Sequence, residues 1–143
     1  MSDAHAQYKE TQILTASPGK LIVMLYDGAI SSMQAACEFI TKKEHYDKAN
    51  SQLIKAQEII GELLSSLDLK VGGDFASKMQ SLYAYMIKRL MEANFKKDKE
   101  PVLEVLKYMQ DLRESWAIAA QKTGSDPKQQ EANNSSSNFN ISG

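Results

Sequence analysis

The sequence predicts an all-α fold, an antiparallel up-down-up-down four-helix bundle, and three observations carry that expectation. Apolar residues recur at spacings of three and four through four stretches of about twenty residues each, the period of a buried helix face. The chain holds only 7 Gly and 3 Pro in 143 residues, too few for a turn-rich β-sandwich. No segment alternates at the strand period. With 43% apolar residues there is material for one core. A single bundle is expected over residues 17–124, between an N-terminal capping tail (1–16) and a disordered polar tail (125–143).

Ser17 has the side chain of an N-cap, and Pro18 brings the fixed φ of a first helical position. The first helix is expected from about Lys20 to Ile40, stopping in Lys42-Lys43-Glu44-His45. In the second, Tyr46, Ala49, Leu53, Ala56, Ile60, Leu63 and Leu67 form the seam of an antiparallel bundle. Gly72-Gly73 should break the chain after Leu69 and Val71, with Asp74 as the N-cap of the next helix. That third helix then runs from about Phe75 to Phe95, with Phe75, Met79, Leu82, Met86, Leu90 and Ala93 inward. Lys96 to Glu100 reads as a charged connector, and Pro101 fits the opening turn of the fourth helix. The fourth helix sets Val102, Val105, Leu106, Met109, Leu112 and Trp116 on one side and ends near Gly124.

Lys and Arg total 17 against 18 Asp and Glu, so the net charge is −1 and no concentrated basic surface for a nucleic acid is expected. No stretch reaches the ~18–20 apolar residues of a membrane span, so no stable membrane insertion is expected. The first twenty residues lack the apolar run of a signal peptide, and a lone Cys fits a reducing compartment. The expected location is the cytoplasm. A di-metal site in a bundle needs inward Glu and Glu-x-x-His pairs, but His5 and His45 both fall off the helix faces. Cys37 shares a stripe with Ile30, Met33 and Ile40 and has no His beside it, so it reads as a small core residue. Gly19-Lys20 lacks the glycine five residues earlier that a phosphate loop needs. No catalytic, metal or cofactor constellation is found, and the expectation is a protein that is not an enzyme.

The informative feature is apolar residues beyond what one bundle face hides. Leu21-Ile22-Val23-Met24-Leu25-Tyr26 is apolar all round at helical pitch. Ile54 points nearly opposite the second seam, while Ile59 and Leu64 flank that seam. Tyr85, Met91 and Phe95 leave the third stripe, Leu103 and Ile118 the fourth, and Tyr108 is marginal. Tyr8, Ile13 and Leu14 are too apolar for a free tail and are expected to fold back over the start of the first helix as a displaceable cap. The partner-binding residues expected from this reading are Tyr8, Ile13, Leu14, Leu21, Met24, Leu25, Ile54, Tyr85, Met91 and Phe95. The ligand that suits them is an amphipathic segment laying helices into grooves. The alternative is a generic helical adaptor or homo-oligomerising bundle.

Tyr8, then Ile13-Leu14-Thr15-Ala16-Ser17-Pro18-Gly19-Lys20-Leu21, then Met24-Leu25-Tyr26-Asp27-Gly28-Ala29-Ile30, resembles the opening of the flagellar secretion chaperone family, FliS. Lys55-Ala56-Gln57, Ser66-Leu67-Asp68 and Gly72-Gly73 are similar to its second helix and following turn. Leu82-Tyr83, Arg89-Leu90, Ala93-Asn94 and Leu112-Arg113-Glu114-Ser115-Trp116 are similar to its last two helices. The resemblance covers residues 8 to about 120; the Asn/Ser-rich tail matches nothing in it. It implies a cytoplasmic bacterial protein that binds the disordered C-terminal segment of flagellin, prevents premature polymerisation and contacts the export gate of the flagellar secretion apparatus. It further implies that Tyr8 and Ile13 cap part of that surface when flagellin is absent.

Overall fold

Four helices carry the protein in a computed structural model that describes residues 17–123. They are α1 (Pro18–Phe39), α2 (Tyr46–Ser65), α3 (Leu69–Lys96) and α4 (Lys99–Thr123), with a 3-10 turn at Lys43–His45. No strand occurs among the described residues. The expectations for the two tails lie outside them.

The helix ends follow from capping chemistry. Ser17 is extended (φ −66°, ψ 159°), and its Oγ accepts from the Lys20 amide at 3.3 Å, with Pro18 next. At the far end Ile40 N–H donates to the Ala36 carbonyl at 2.9 Å, and Lys42 turns extended, which stops α1 at the expected place. The entry to α3 differs from expectation. Asp68, not Asp74, supplies the cap, accepting from the amides of Lys70 and Val71, each at 3.1 Å. One helical turn therefore precedes the glycine pair, and the break falls at Gly73 (φ 55°, ψ −132°), a conformation open only to glycine. A β-carbon on Gly72 would lie 2.5 Å from that of Ala76. At the other end of α3, Lys97 is left-handed and closes the helix, with the Asp98 amide bonded to the Ala93 carbonyl at 3.0 Å. Asp98 Oδ1 then accepts from the Glu100 amide and opens α4.

Paired contacts fix the antiparallel registers. Gly28 approaches Ile59 between α1 and α2, and Asn94 Nδ2 donates to Asn50 Oδ1 at 2.6 Å between α2 and α3. Phe75 meets Trp116 between α3 and α4, with ring centroids 6.4 Å apart. Gly19 meets Ala120, and Arg113 Nε donates to Asp27 Oδ1 at 2.8 Å, so α4 closes back on α1. Each helix thus packs against two neighbours around one ring.

The buried stripe of α2 matches the expected seam at Ala49, Leu53, Ala56, Ile60 and Leu63. On α3 the stripe is Ala76, Met79, Tyr83, Met86, Leu90 and Ala93. Phe75 and Leu82 pack against its edge instead of lying at its centre, and Tyr83 takes the inward place. The reason is a polar partner. The Tyr83 hydroxyl is hydrogen bonded to that of Tyr26, which also accepts from Trp116 Nε1 at 3.2 Å. This chain of three side chains ties α1, α3 and α4 together across the core. Trp116, Leu106 and Leu112 are half-buried at the margin of that core, and Cys37 is buried as expected.

Candidate partner-binding surface

The described residues form no group of three or more His, Cys, Asp or Glu able to hold a metal ion, and no helix among them is long and apolar enough to cross a membrane. Burial pushes the Cys37 thiol up, against a smaller opposing pull from Lys99, which keeps it protonated and unreactive. His45 is packed edge-on against Phe39 at 5.9 Å, with the Lys48 ammonium 5.7 Å from the Phe39 ring centre. These groups serve packing.

Among the described residues the exposed large apolar side chains are Ile54, Leu69, Val71, Tyr85, Met91, Phe95, Leu103, Tyr108 and Ile118. Phe95 is 89% exposed and Met91 57%, so the α3 outliers read from periodicity stand on the surface. Leu21, Met24 and Leu25 differ: they are half-buried. The run is apolar all round because α1 is flanked by α2 on one side and α4 on the other, with Ile22 and Leu25 packed on the core. Tyr8, Ile13 and Leu14 lie outside the described residues. Leu69 and Val71 are exposed sites that sequence reading placed before the glycine break without a role. Their signal was Asp68, whose capping turns the segment into a helical turn ahead of the glycine pair.

Geometry divides these residues among several faces. Met91 follows Tyr85 by six residues, which at about 100° per residue leaves them about 120° apart around α3. Tyr85 lies on the flank facing α4, where its hydroxyl donates to Glu104 Oε2 at 2.6 Å. Tyr108 donates to the same oxygen at 3.2 Å, and Arg89 Nε donates to Oε1 at 2.9 Å while its Nη1 reaches Glu92 at 2.8 Å. The Tyr85 bond, the strongest of these influences, lowers the Glu104 carboxyl below the usual range, and the same bond raises the Tyr85 hydroxyl. Tyr85 is thus a surface aromatic with its polar end held. Met91 lies on the opposite flank with Asn94, and Ile54 lies one turn from Asn50 on α2. Because Asn50 and Asn94 are bonded, Ile54 and Met91 flank one groove between α2 and α3. Leu21, Met24 and Leu25 belong to the start of α1, beside the end of α4.

Residues 1–123 match the sequence model of the family described as flagellar protein FliS. The chain belongs to the FliS family. The flagellar secretion chaperone FliS of Bacillus subtilis is 33% identical over 126 residues, spanning 88% of this chain and 92% of that protein. The flagellar secretion chaperone FliS of Salmonella typhimurium is 37% identical over 115 residues, 79% of this chain and 84% of that one. That of Campylobacter jejuni is 30% identical over 113 residues, 79% and 88% respectively. The resemblance in the opening motif and in the helix-three and helix-four motifs is therefore that of a FliS member, and the four-helix architecture is the frame on which this FliS chain displays its surface.

Proposed function

We propose that this FliS chain is an export chaperone that binds the disordered C-terminal segment of flagellin in the bacterial cytoplasm, prevents premature polymerisation and aids delivery to the flagellar secretion apparatus, including contact with its export gate. The observation that carries the reading is the distribution of apolar side chains over separate faces. Ile54 and Met91 flank the α2–α3 groove, Tyr85 the α3–α4 side and Leu21, Met24 and Leu25 the start of α1. A compact globular partner touches one face, whereas a flexible segment can wrap several and become ordered as it does so. Phe95 extends the α3 contribution, and the role proposed for Tyr8, Ile13 and Leu14, which lie outside the described residues, is that of a cap that the client displaces.

The family places the chain among flagellar secretion chaperones, and those relatives' names supply the export role. The test is co-purification of the full chain with full-length flagellin and with flagellin lacking its C-terminal segment. Retention of only the full-length client supports the proposal. Equal retention of both places the contact elsewhere on flagellin, and no retention of either removes the client.

A further inference from the structure

Glu104 is half-buried on the α3–α4 side, where it gathers side chains from both helices. Its Oε2 accepts from the hydroxyls of Tyr85 at 2.6 Å and Tyr108 at 3.2 Å, and its Oε1 accepts from Arg89 Nε at 2.9 Å. Arg89 is held in turn by Glu92, 2.8 Å from its Nη1. Leu82 lies one turn before Tyr85 and Leu112 one turn beyond Tyr108, both packed on the core, and Phe75 meets Trp116 further along. An apolar strip between the two helices therefore runs from the tyrosine pair to the Phe75–Trp116 contact, and the Glu104 cluster closes its other end.

Tyr85 and Tyr108 keep 43% and 38% of their surface exposed, yet their polar ends are already bound. What each offers a partner is its ring. A freely turning surface side chain loses conformational freedom when a partner covers it, and that loss is subtracted from affinity; a ring held beforehand loses less. A carboxylate poses the opposite problem, because stripping water from a charge is costly and charges are depleted from interface cores. Here both Glu104 oxygens have protein donors and Arg89 opposes the charge, so an apolar helix face can cover the cluster without leaving a bare anion. Lys107 and Asp111, on either side of Tyr108 in α4, pair with each other at 4.0 Å.

We infer that Glu104 is a positioning residue of the client surface: it holds the Tyr85 and Tyr108 rings in place for an apolar helix face of the client, while Arg89 neutralises the carboxylate that the client covers. The inference rests on the flagellin reading above and adds Glu104, Arg89 and Tyr108 to the surface on which Tyr85 was expected. Glu104 acts through the two rings and makes no contact of its own with the client. Its contribution is therefore a lower ordering cost, and it should vanish when there is no tyrosine hydroxyl for it to hold.

The test has two arms, both on the full chain, with circular dichroism melts to establish that each variant keeps its fold. The first needs no client. In an alkaline titration followed by NMR of carbon-13-labelled tyrosine rings, Tyr85 and Tyr108 should ionise above their ordinary 10.0, chiefly through the bond to Glu104, and Glu104→Ala should bring both down. The second is calorimetric binding of a peptide with the sequence of flagellin's C-terminal segment. Glu104→Ala should weaken it by about tenfold, and Glu104→Gln, which keeps an acceptor oxygen, by less. Tyr85→Phe should weaken binding several-fold in the wild-type background and no further beside Glu104→Ala, because the hydroxyl then has nothing to hold it. Tyr85→Phe with Tyr108→Phe, which keeps both rings, should match the Glu104→Ala loss. A Glu104 that merely supports the fold would lower the melting temperature and leave the Tyr85→Phe loss the same in both backgrounds, which overturns the proposal. So does unchanged binding by Glu104→Ala, or ordinary ionisation of both rings in wild type. Wild type that does not bind the peptide removes the flagellin reading and this role with it, whereas wild-type binding indifferent to the variants removes the role alone.

Discussion

Removing the Tyr26 hydroxyl should destabilise the bundle, and removing both hydroxyls of the Tyr26–Tyr83 pair should cost less than the two single changes added together. Tyr26 and Tyr83 are 0% and 1% exposed, and their hydroxyls are bonded to each other. Tyr26→Phe leaves the Tyr83 hydroxyl without its partner in the core, and an unsatisfied buried group costs about 1–3 kcal/mol. Trp116 Nε1 loses its acceptor as well, but Trp116 is half-buried and can turn toward water. In Tyr26→Phe with Tyr83→Phe no buried hydroxyl is left over, so the double change should cost less than the sum of the singles by about 1 kcal/mol or more. Urea unfolding measures this, with Trp116, the single tryptophan, as fluorophore. In thermal melts about 1 kcal/mol corresponds to roughly 4 °C for a domain of this size. A neutral Tyr26→Phe, or strict additivity, would refute the buried bond. The pair also predicts an alkaline limb. Burial raises both hydroxyls, Tyr26 above its ordinary 10.0, so the folded state keeps protons that the unfolded chain releases. Their contribution is constant below pH ~10 and is lost as pH rises beyond it, because the unfolded state then binds fewer protons. The double Phe variant should show a flatter decline.

Gly73→Ala should cost about 1–3 kcal/mol, since a β-carbon is strained at φ 55°, ψ −132°; urea midpoints check it, and a stabilised variant would place the kink elsewhere. Trp116→Ala should cost about 2–4 kcal/mol, below a fully buried tryptophan because its ring lies at the core margin and gives up one hydrogen bond. Cys37 should resist a thiol reagent in the native protein at neutral pH and react on addition of urea, because burial holds it as the thiol; rapid native labelling would put it on the surface. Ile54→Ser should leave the melting temperature nearly unchanged while flagellin co-purification falls by about tenfold, the scale of one anchor.

The sequence by itself determined the number of helices, their approximate ends and most of their inward residues. Those features rest on local causes: Ser17 and Pro18 at the start of α1, the three-and-four seam from Ala49 to Leu63, and Pro101 in the opening turn of α4. It also singled out Ile54, Tyr85, Met91 and Phe95 as outward, because a residue's angle around its own helix needs no knowledge of the neighbours. What the neighbours are is a tertiary fact, and only the structure decided it. Tyr83 turns inward because Tyr26, fifty-seven residues away, offers a partner for its hydroxyl. The apolar run of α1 is half-buried because α2 and α4 lie on either side of it. Met91 and Ile54 share a groove, and Tyr85 does not join them, because one amide pair sets the α2–α3 register while Glu104 holds Tyr85 on the far flank. Periodicity gives an angle on one helix; height and adjacency between helices come from contacts between residues distant in the chain.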